Sequence, residues 1–369
     1  MTLRLRALTV VAVMLVATGC AAMWPSPAAL RRIDARIGEL LLVGFNGTAV
    51  DGNVELERVL CEAKVGGVVL FARNIQDGAQ LRALTSGMSA RTRACAGRSL
   101  LIAVDAEGGQ VMRLGPRAGF VPTLSHQELG DAGDYAETEL EARRIGTMLR
   151  DHGINWNLAP VVDVGYNPAN PVIVGYGRSF GANPVLVTEH ARAWVRGMHA
   201  AGVLTAVKHF PGHGSSYGDT HHGFVDVTPT ADRDIELVPY RALIAERLAD
   251  AVMTAHVVNR RLDVHPATLS HTTITGVLRR QLGFQGVVVT DDLRMGAIVQ
   301  HYGFEEALAM ALGAGVDVLL IAEDRLPDGR SASAVAVGAI RRALAEGRID
   351  AGRVEESLAR IAALRERVR

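Results

Sequence analysis

Eight apolar runs of strand length recur along the chain, at 40–45, 67–71, 100–105, 154–164, 205–210, 251–257, 286–291 and 316–322. They are mostly unbroken rather than alternating, the pattern of strands covered on both faces. Between them lie stretches with helical spacing, such as 135–152, 185–201 and 305–314. Eight buried strands alternating with helices predict an α/β fold, a single (β/α)8 TIM-like barrel. An open doubly wound sheet uses the same parts and is the alternative. A barrel makes one further demand, that polar chemistry gather just past the carboxyl end of each strand. Asp105, Asp163, Lys208 with His209, His256 and Asp291 each stand at such an end. Charges in runs otherwise built of Val, Leu, Ile and Ala need partners or a purpose.

Composition narrows the purpose. With 49% hydrophobic residues the chain folds, and with Lys+Arg and Asp+Glu both at 39 it carries no net field that would draw nucleic acid. Aromatic residues at 5% argue against a base-stacking surface. Only two of the 39 basic residues are lysines, Lys64 and Lys208. Lys208 opens the most chemically loaded stretch of the sequence.

That stretch is Lys208-His209-Phe210-Pro211-Gly212-His213-Gly214, and four of the twelve histidines fall between His209 and His222, with Asp219 among them. Imidazoles beside a carboxylate would suit zinc. However, Pro211, Gly212 and Gly214 prevent a helix that would align His209 with His213, and Lys208 would repel a cation; no metal or cofactor is expected. Residues 212–222 read instead as a flexible loop over the barrel mouth. Asp219 stands two residues before His221, close enough in a turn to orient the ring and raise its affinity for a proton. Across the mouth, Val287-Val288-Val289-Thr290-Asp291-Asp292 ends a buried strand in two carboxylates. Strand register favours Asp291 as the rim residue, with Asp292 the other candidate. A rigid carboxylate facing an acid/base group suits glycosidic cleavage.

These pieces, together with Asp105-Ala106-Glu107-Gly108-Gly109-Gln110-Val111-Met112-Arg113 and Arg178-Ser179-Phe180-Gly181, closely resemble the bacterial β-N-acetylglucosaminidases of glycoside hydrolase family 3. The likeness extends over about residues 35–325. It implies a retaining enzyme that removes terminal β-linked N-acetylglucosamine, typically from peptidoglycan fragments. It also implies Asp291 as nucleophile, His221 as acid/base with Asp219 as its partner, and Asp105, Arg113, Arg178, Lys208 and His209 as ligands of the sugar hydroxyls. The chain departs from the family at Ala106 and Gln110, where Gln and Arg are usual, and at Ser215-Ser216-Tyr217-Gly218. The additional β-sandwich domain of many family members is not expected, since few residues follow Ala322. Two other activities fit the same residues: a phosphorylase, because a neutral imidazole does not repel phosphate, and a non-catalytic lipoprotein that binds muropeptides.

The amino terminus reads as an export signal over residues 1–20: Arg4 and Arg6, an apolar run 7–17, then Thr18-Gly19-Cys20. It resembles a lipoprotein signal in which Cys20 is acylated, an ordinary cleaved signal being the alternative. The expectation is a 21–33 linker, a catalytic barrel with C-terminal helices over 34–369, and a monomer held on a membrane by its lipid, facing the periplasm or cell exterior. Cys61 and Cys95 then remain in an oxidising compartment, either as one disulfide or as two buried thiols.

Overall fold

The computed structural model describes residues 27–368. The expected signal and Cys20 lie outside the described residues. All eight apolar runs contribute a strand: β1 (Leu41–Val43), β2 (Gly67–Leu70), β3 (Leu101–Val104), β4 (Trp156–Asn157), β5 (Leu204–Phe210), β6 (Ala251–Thr254), β7 (Val287–Thr290) and β8 (Leu319–Ile321). They form one parallel sheet in the order β7-β6-β5-β4-β3-β2-β1-β8. The two end strands meet through a parallel bridge between Val289 and Val318 and the Thr290 N–H on the Val318 carbonyl, so the sheet closes on itself. A closed barrel, not an open sheet, is therefore the outcome. Among the described residues no helix is long and apolar enough to cross a membrane.

The longest of the expected strands is the one that changes most. In the run 154–164 only Trp156–Asn157 make regular ladder pairs. Pro160 has no N–H to donate, and side chains take over part of the ladder: Asn155 brackets Ile102 N and Leu100 O, and Asn157 brackets the N–H and carbonyl of Ala106. The chain stays beside β5 through Lys208 N on Pro160 O and Val162 N on Lys208 O. A second irregularity lies in β5, where Val207 opposes Val252 but Phe210 opposes Thr254. One extra residue has been inserted, and such a bulge re-aims side chains at a barrel rim. It brings both Lys208 and His209 to the mouth.

The expected helices are present as Tyr135–Asp151, Pro184–Ala200 and Phe304–Ala314. Asp134 and Asn183 cap the first two by accepting N–H groups of the opening turn. The helix Pro27–Asp34 begins inside the stretch expected as linker, and its Ile33 joins the core.

Much of the arginine excess is spent at the amino-terminal end of the barrel. Three buried carboxylates lie there beside strand starts: Glu39 pairs with Arg36 and Arg365, Asp250 with His199 and Arg367, and Asp317 with Arg279, Arg353 and Arg360. Arg353, Arg360 and Arg365 all come from the helix Ala351–Glu366, which is thereby fastened to the barrel. The pairs at this end tie helices to strand starts. On the flank, Cys61 and Cys95 form a disulfide across a Cα–Cα distance of 5.5 Å, so the paired reading of the two cysteines is the one the structure adopts.

Candidate active site

A cavity of about 480 Å³ opens at the carboxyl ends of the strands. Its floor is apolar, with Val69 from β2, Leu158 after β4, Met253 from β6 and Leu320 from β8. Every sequence-expected site residue within the described chain reaches it: Asp105, Arg113, Arg178, Lys208, His209, Asp219, His221 and Asp291. Asp163 and His256, also expected at the rim, do not line it. Both are buried behind it as supports.

On one wall the polar groups form a continuous ion network. The Lys208 ammonium, only 2% exposed, lies 2.8 Å from Asp105 Oδ1 and 2.6 Å from Glu107 Oε1. Arg178 donates through Nε and Nη2 to the two Glu107 oxygens at 2.8 and 2.9 Å, a bidentate pair. Its Nη2 also stands 3.2 Å from His209 Nε2. The His209 ring is fixed from behind by Asp163, whose Oδ2 is 2.7 Å from Nδ1. Arg113 approaches Asp105 at 3.5 Å and borders the opening. Burial would raise the Glu107 carboxyl, but the charges of Arg178 and Lys208 outweigh it and hold the group well below the usual carboxylate range. Burial likewise opposes the Lys208 charge, yet Asp105 and Glu107 leave its affinity for the proton raised. Glu107 and Lys208 thus face each other as ions, and the Lys208 and Arg178 side chains line the cavity.

The opposite wall holds the two carboxylates and the imidazole. Burial would raise Asp291; the imidazoles of His256, His209 and His221 and the Asp292 N–H, which donates to Oδ1 at 2.8 Å, bring it down to about 2. Asp292 goes the other way. Burial lifts it to about 6, with the Asp291 charge adding to this and the N–H groups of Ala322 and Arg294 holding it back. Two adjacent carboxyls thus have well-separated proton affinities, and the ionised one is the rim residue. His221 Nδ1 lies 2.6 Å from Asp219 Oδ1, which also accepts the His221 N–H at 2.9 Å. Its side chain is 58% exposed, at the open end of the pocket. The loop that carries it docks on the segment following Asp291: Gly296 N donates to the His221 carbonyl at 3.3 Å and Ala297 N to the Thr220 carbonyl at 3.2 Å.

Residues 32–364 match the family model of the glycosyl hydrolase family 3 N-terminal domain. The chain belongs to glycosyl hydrolase family 3. Beta-hexosaminidase A of Pseudoalteromonas piscicida is 38% identical over 286 residues, which are 72% of this chain and 47% of that protein, so the chain spans about half the length of this relative. Beta-hexosaminidase of Alkalilimnicola ehrlichii is 38% identical over 290 residues, 76% of this chain and 80% of that one. Among solved structures, a glycoside hydrolase family 3 beta-N-acetylglucosaminidase from Paenibacillus sp. str. FPU-7 is similar with a TM-score of 0.84 and 38% identity, over 90% of this chain and 62% of that chain.

Within this family 3 barrel, two features differ from the sequence expectation. The loop 212–222 is not loose along its whole length: His213, Ser215 and Ser216 are buried, and only its far end is open. Glu107, absent from the expected site, proves to be the hub of the ion network. The one signal for it was an acid placed directly before Gly108-Gly109 and two residues after the rim Asp105.

Beneath the loop lies another buried carboxyl. Glu236 packs under Gly212, where a Cβ would come within 2.7 Å of the Glu236 carboxyl carbon and where φ is +145°. Glycine meets both demands. Burial pushes Glu236 up to about 7, with Asp163 and Asp232 adding to the shift and the hydroxyls of Ser215 and Tyr166 opposing it. A raised carboxyl favours the fold while it is protonated, so this contribution falls as pH rises from about 4.5 to about 7. Glu236→Gln is expected to remove on the order of 3 kcal/mol from the decline in stability across that window. Denaturant unfolding at pH 5 and pH 8 checks it; an unchanged difference between the two pH values would contradict the assignment.

Proposed function

We propose that this family 3 chain is a retaining exo-β-N-acetylglucosaminidase that releases terminal β-linked N-acetylglucosamine from peptidoglycan fragments or related glycosides. The observation that carries the reading is the docking of the Asp219–His221 loop on the segment after Asp291, over a cavity with an apolar floor and a charged wall. A blind pocket of this volume suits one terminal sugar rather than a polymer running through. The relatives' names as beta-hexosaminidases support the class of sugar.

In this reading the charged wall binds the hydroxyls of the terminal sugar. Asp105 accepts, and Lys208, Arg113, Arg178 and His209 contribute donors or hold them in place. The Asp291 carboxylate attacks the anomeric carbon as His221 Nε2–H gives its proton to the departing oxygen, so a covalent glycosyl-enzyme forms and the aglycone leaves. Neutral His221 then takes a proton from water, the hydroxide attacks the same carbon from the side the aglycone left, and Asp291 is released. Two inversions give net retention. Asp219 accepts the Nδ1–H, which presents Nε2 to the reaction and stabilises the imidazolium. The lipid-anchored location through Cys20, an exported body and a monomeric state belong to the same proposal.

Product analysis on a defined muropeptide in phosphate buffer tests the reading. Free N-acetylglucosamine with the β-anomer formed first is the expected product. A sugar 1-phosphate would make the chain a phosphorylase, and tight binding without turnover would make it a muropeptide-binding protein. Lys208→Arg supplies a second check. A planar guanidinium cannot reproduce the compact ammonium between Asp105 and Glu107, and losing a charge-assisted contact of this kind costs about 1.5–3 kcal/mol. The expected outcome is a drop in kcat/KM of roughly 10- to 100-fold on an aryl β-N-acetylglucosaminide; wild-type kinetics would refute the role given to Lys208.

A further inference from the structure

One side chain contacts both the turn that leads to Arg178 and the loop that leads to His221. Asn170 is 1% exposed and lies in the loop after β4. Its Oδ1 accepts from Val172 N at 3.1 Å and Ile173 N at 2.7 Å. The same turn then places Arg178, whose backbone N–H donates to the Ile173 carbonyl and whose Nη1 reaches the Val172 carbonyl at 3.3 Å. Its Nδ2 faces the other loop, meeting the His213 carbonyl at 2.8 Å, the Gly214 carbonyl at 3.2 Å and Ser216 Oγ at 3.1 Å. Both acceptor sites and both donors of the amide are thus engaged.

From there the contacts run on toward the acid/base pair. Ser216 Oγ is 2.8 Å from His213 Nδ1 and 3.1 Å from the Gly218 carbonyl, immediately before Asp219. Asn167 adds a neighbouring clasp, with Nδ2 on the Ser215 and Ser216 carbonyls at 3.1 and 2.9 Å. Burial of these groups leaves little water to substitute for a lost partner.

We infer that Asn170 is a positioning residue that sets the Arg178 turn and the His221 loop in a fixed relation, coupling recognition of the terminal sugar to protonation of the leaving group. The inference rests on the proposed role of His221 as proton donor. A brace of this kind acts through other residues: it fixes their geometry and touches no substrate.

The test compares Asn170→Ala, Asn167→Ala and His221→Ala in the full chain, each against 2,4-dinitrophenyl and phenyl β-N-acetylglucosaminides, with free N-acetylglucosamine as a competitive inhibitor and thermal melting as the control for folding. Asn170→Ala is expected to lose about tenfold more kcat/KM on the phenyl substrate, which needs protonation, than on the dinitrophenyl one, and to bind the free sugar more weakly. Equal losses on the two substrates, as a purely structural defect would give, or an unchanged inhibition constant would overturn the inference. Should Asn170→Ala fail to fold, Asn167→Ala carries the leaving-group comparison: a smaller preference in the same direction supports the brace, and none refutes it. If His221→Ala itself shows no leaving-group preference, it is the reading of His221 that fails.

Discussion

Asp291→Ala is expected to lower kcat on an aryl β-N-acetylglucosaminide by at least about 10⁴-fold, the scale seen when a covalent nucleophile is removed. Proton affinity separates the two adjacent carboxyls. At about 2, Asp291 is ionised at every pH where activity would be measured, whereas its neighbour Asp292, at about 6, changes protonation within that range. The Asp292 N–H, donating at 2.8 Å, stabilises the Asp291 charge and fixes the orientation of Oδ1. A depressed carboxyl contributes stability above its ordinary range and loses it as pH falls toward the folded value. Thermal melting of the alanine variant is the control that the barrel still folds. Added azide discriminates further. With the carboxylate gone, azide in the vacated space attacks once, on the face opposite the leaving group, and the product is the α-glycosyl azide. Normal kcat in Asp291→Ala, or a large loss confined to Asp292→Ala, would transfer the nucleophile's role to the other carboxyl.

The strands and the rim residues were legible because burial on both faces writes itself as continuous apolar sequence, and a charge that ends such a run stands out against it. What joins the rim residues was not. Glu107 meets Arg178 across 71 positions and Lys208 across still more, a pairing created by barrel closure rather than by local spacing. The bulge that turns both Lys208 and His209 toward the cavity is a difference in register between β5 and β6. The docking of the His221 loop is carried by backbone N–H groups of Gly296 and Ala297, which any sequence possesses. Asp163 and His256 were visible as rim polar residues, but only their partners reveal them as supports: Asp163 holds His209, while His256 lies between Thr268 Oγ1 and the Asp292 carbonyl. Ser215 and Ser216, read as part of a flexible loop, are buried because Asn167 and Asn170 close over them.

For His221→Ala the expected result is a loss that depends on the leaving group. General acid assistance is worth about 10²–10⁴ in rate when the departing oxygen needs a proton, and a dinitrophenolate does not. Glycosylation of the variant by a dinitrophenyl substrate should therefore approach the wild-type rate, while the phenyl substrate loses most of that factor. The second half of the cycle has no such escape, since water still requires a base, so the glycosyl-enzyme accumulates and a burst of dinitrophenolate precedes slow turnover. Azide needs no base and attacks that intermediate on the face the aglycone left, giving the β-glycosyl azide, the opposite anomer to that expected from Asp291→Ala. Asp219→Ala should follow the same pattern with a smaller loss, because it leaves the imidazole in place but removes the carboxylate that accepts Nδ1–H at 2.6 Å. Equal losses on both substrates, or no burst, would show that His221 does not move the proton. The stereochemistry of the two azide products gives the stronger constraint, because an α-azide from one variant and a β-azide from the other require the nucleophile and the acid/base to act on opposite faces of the sugar.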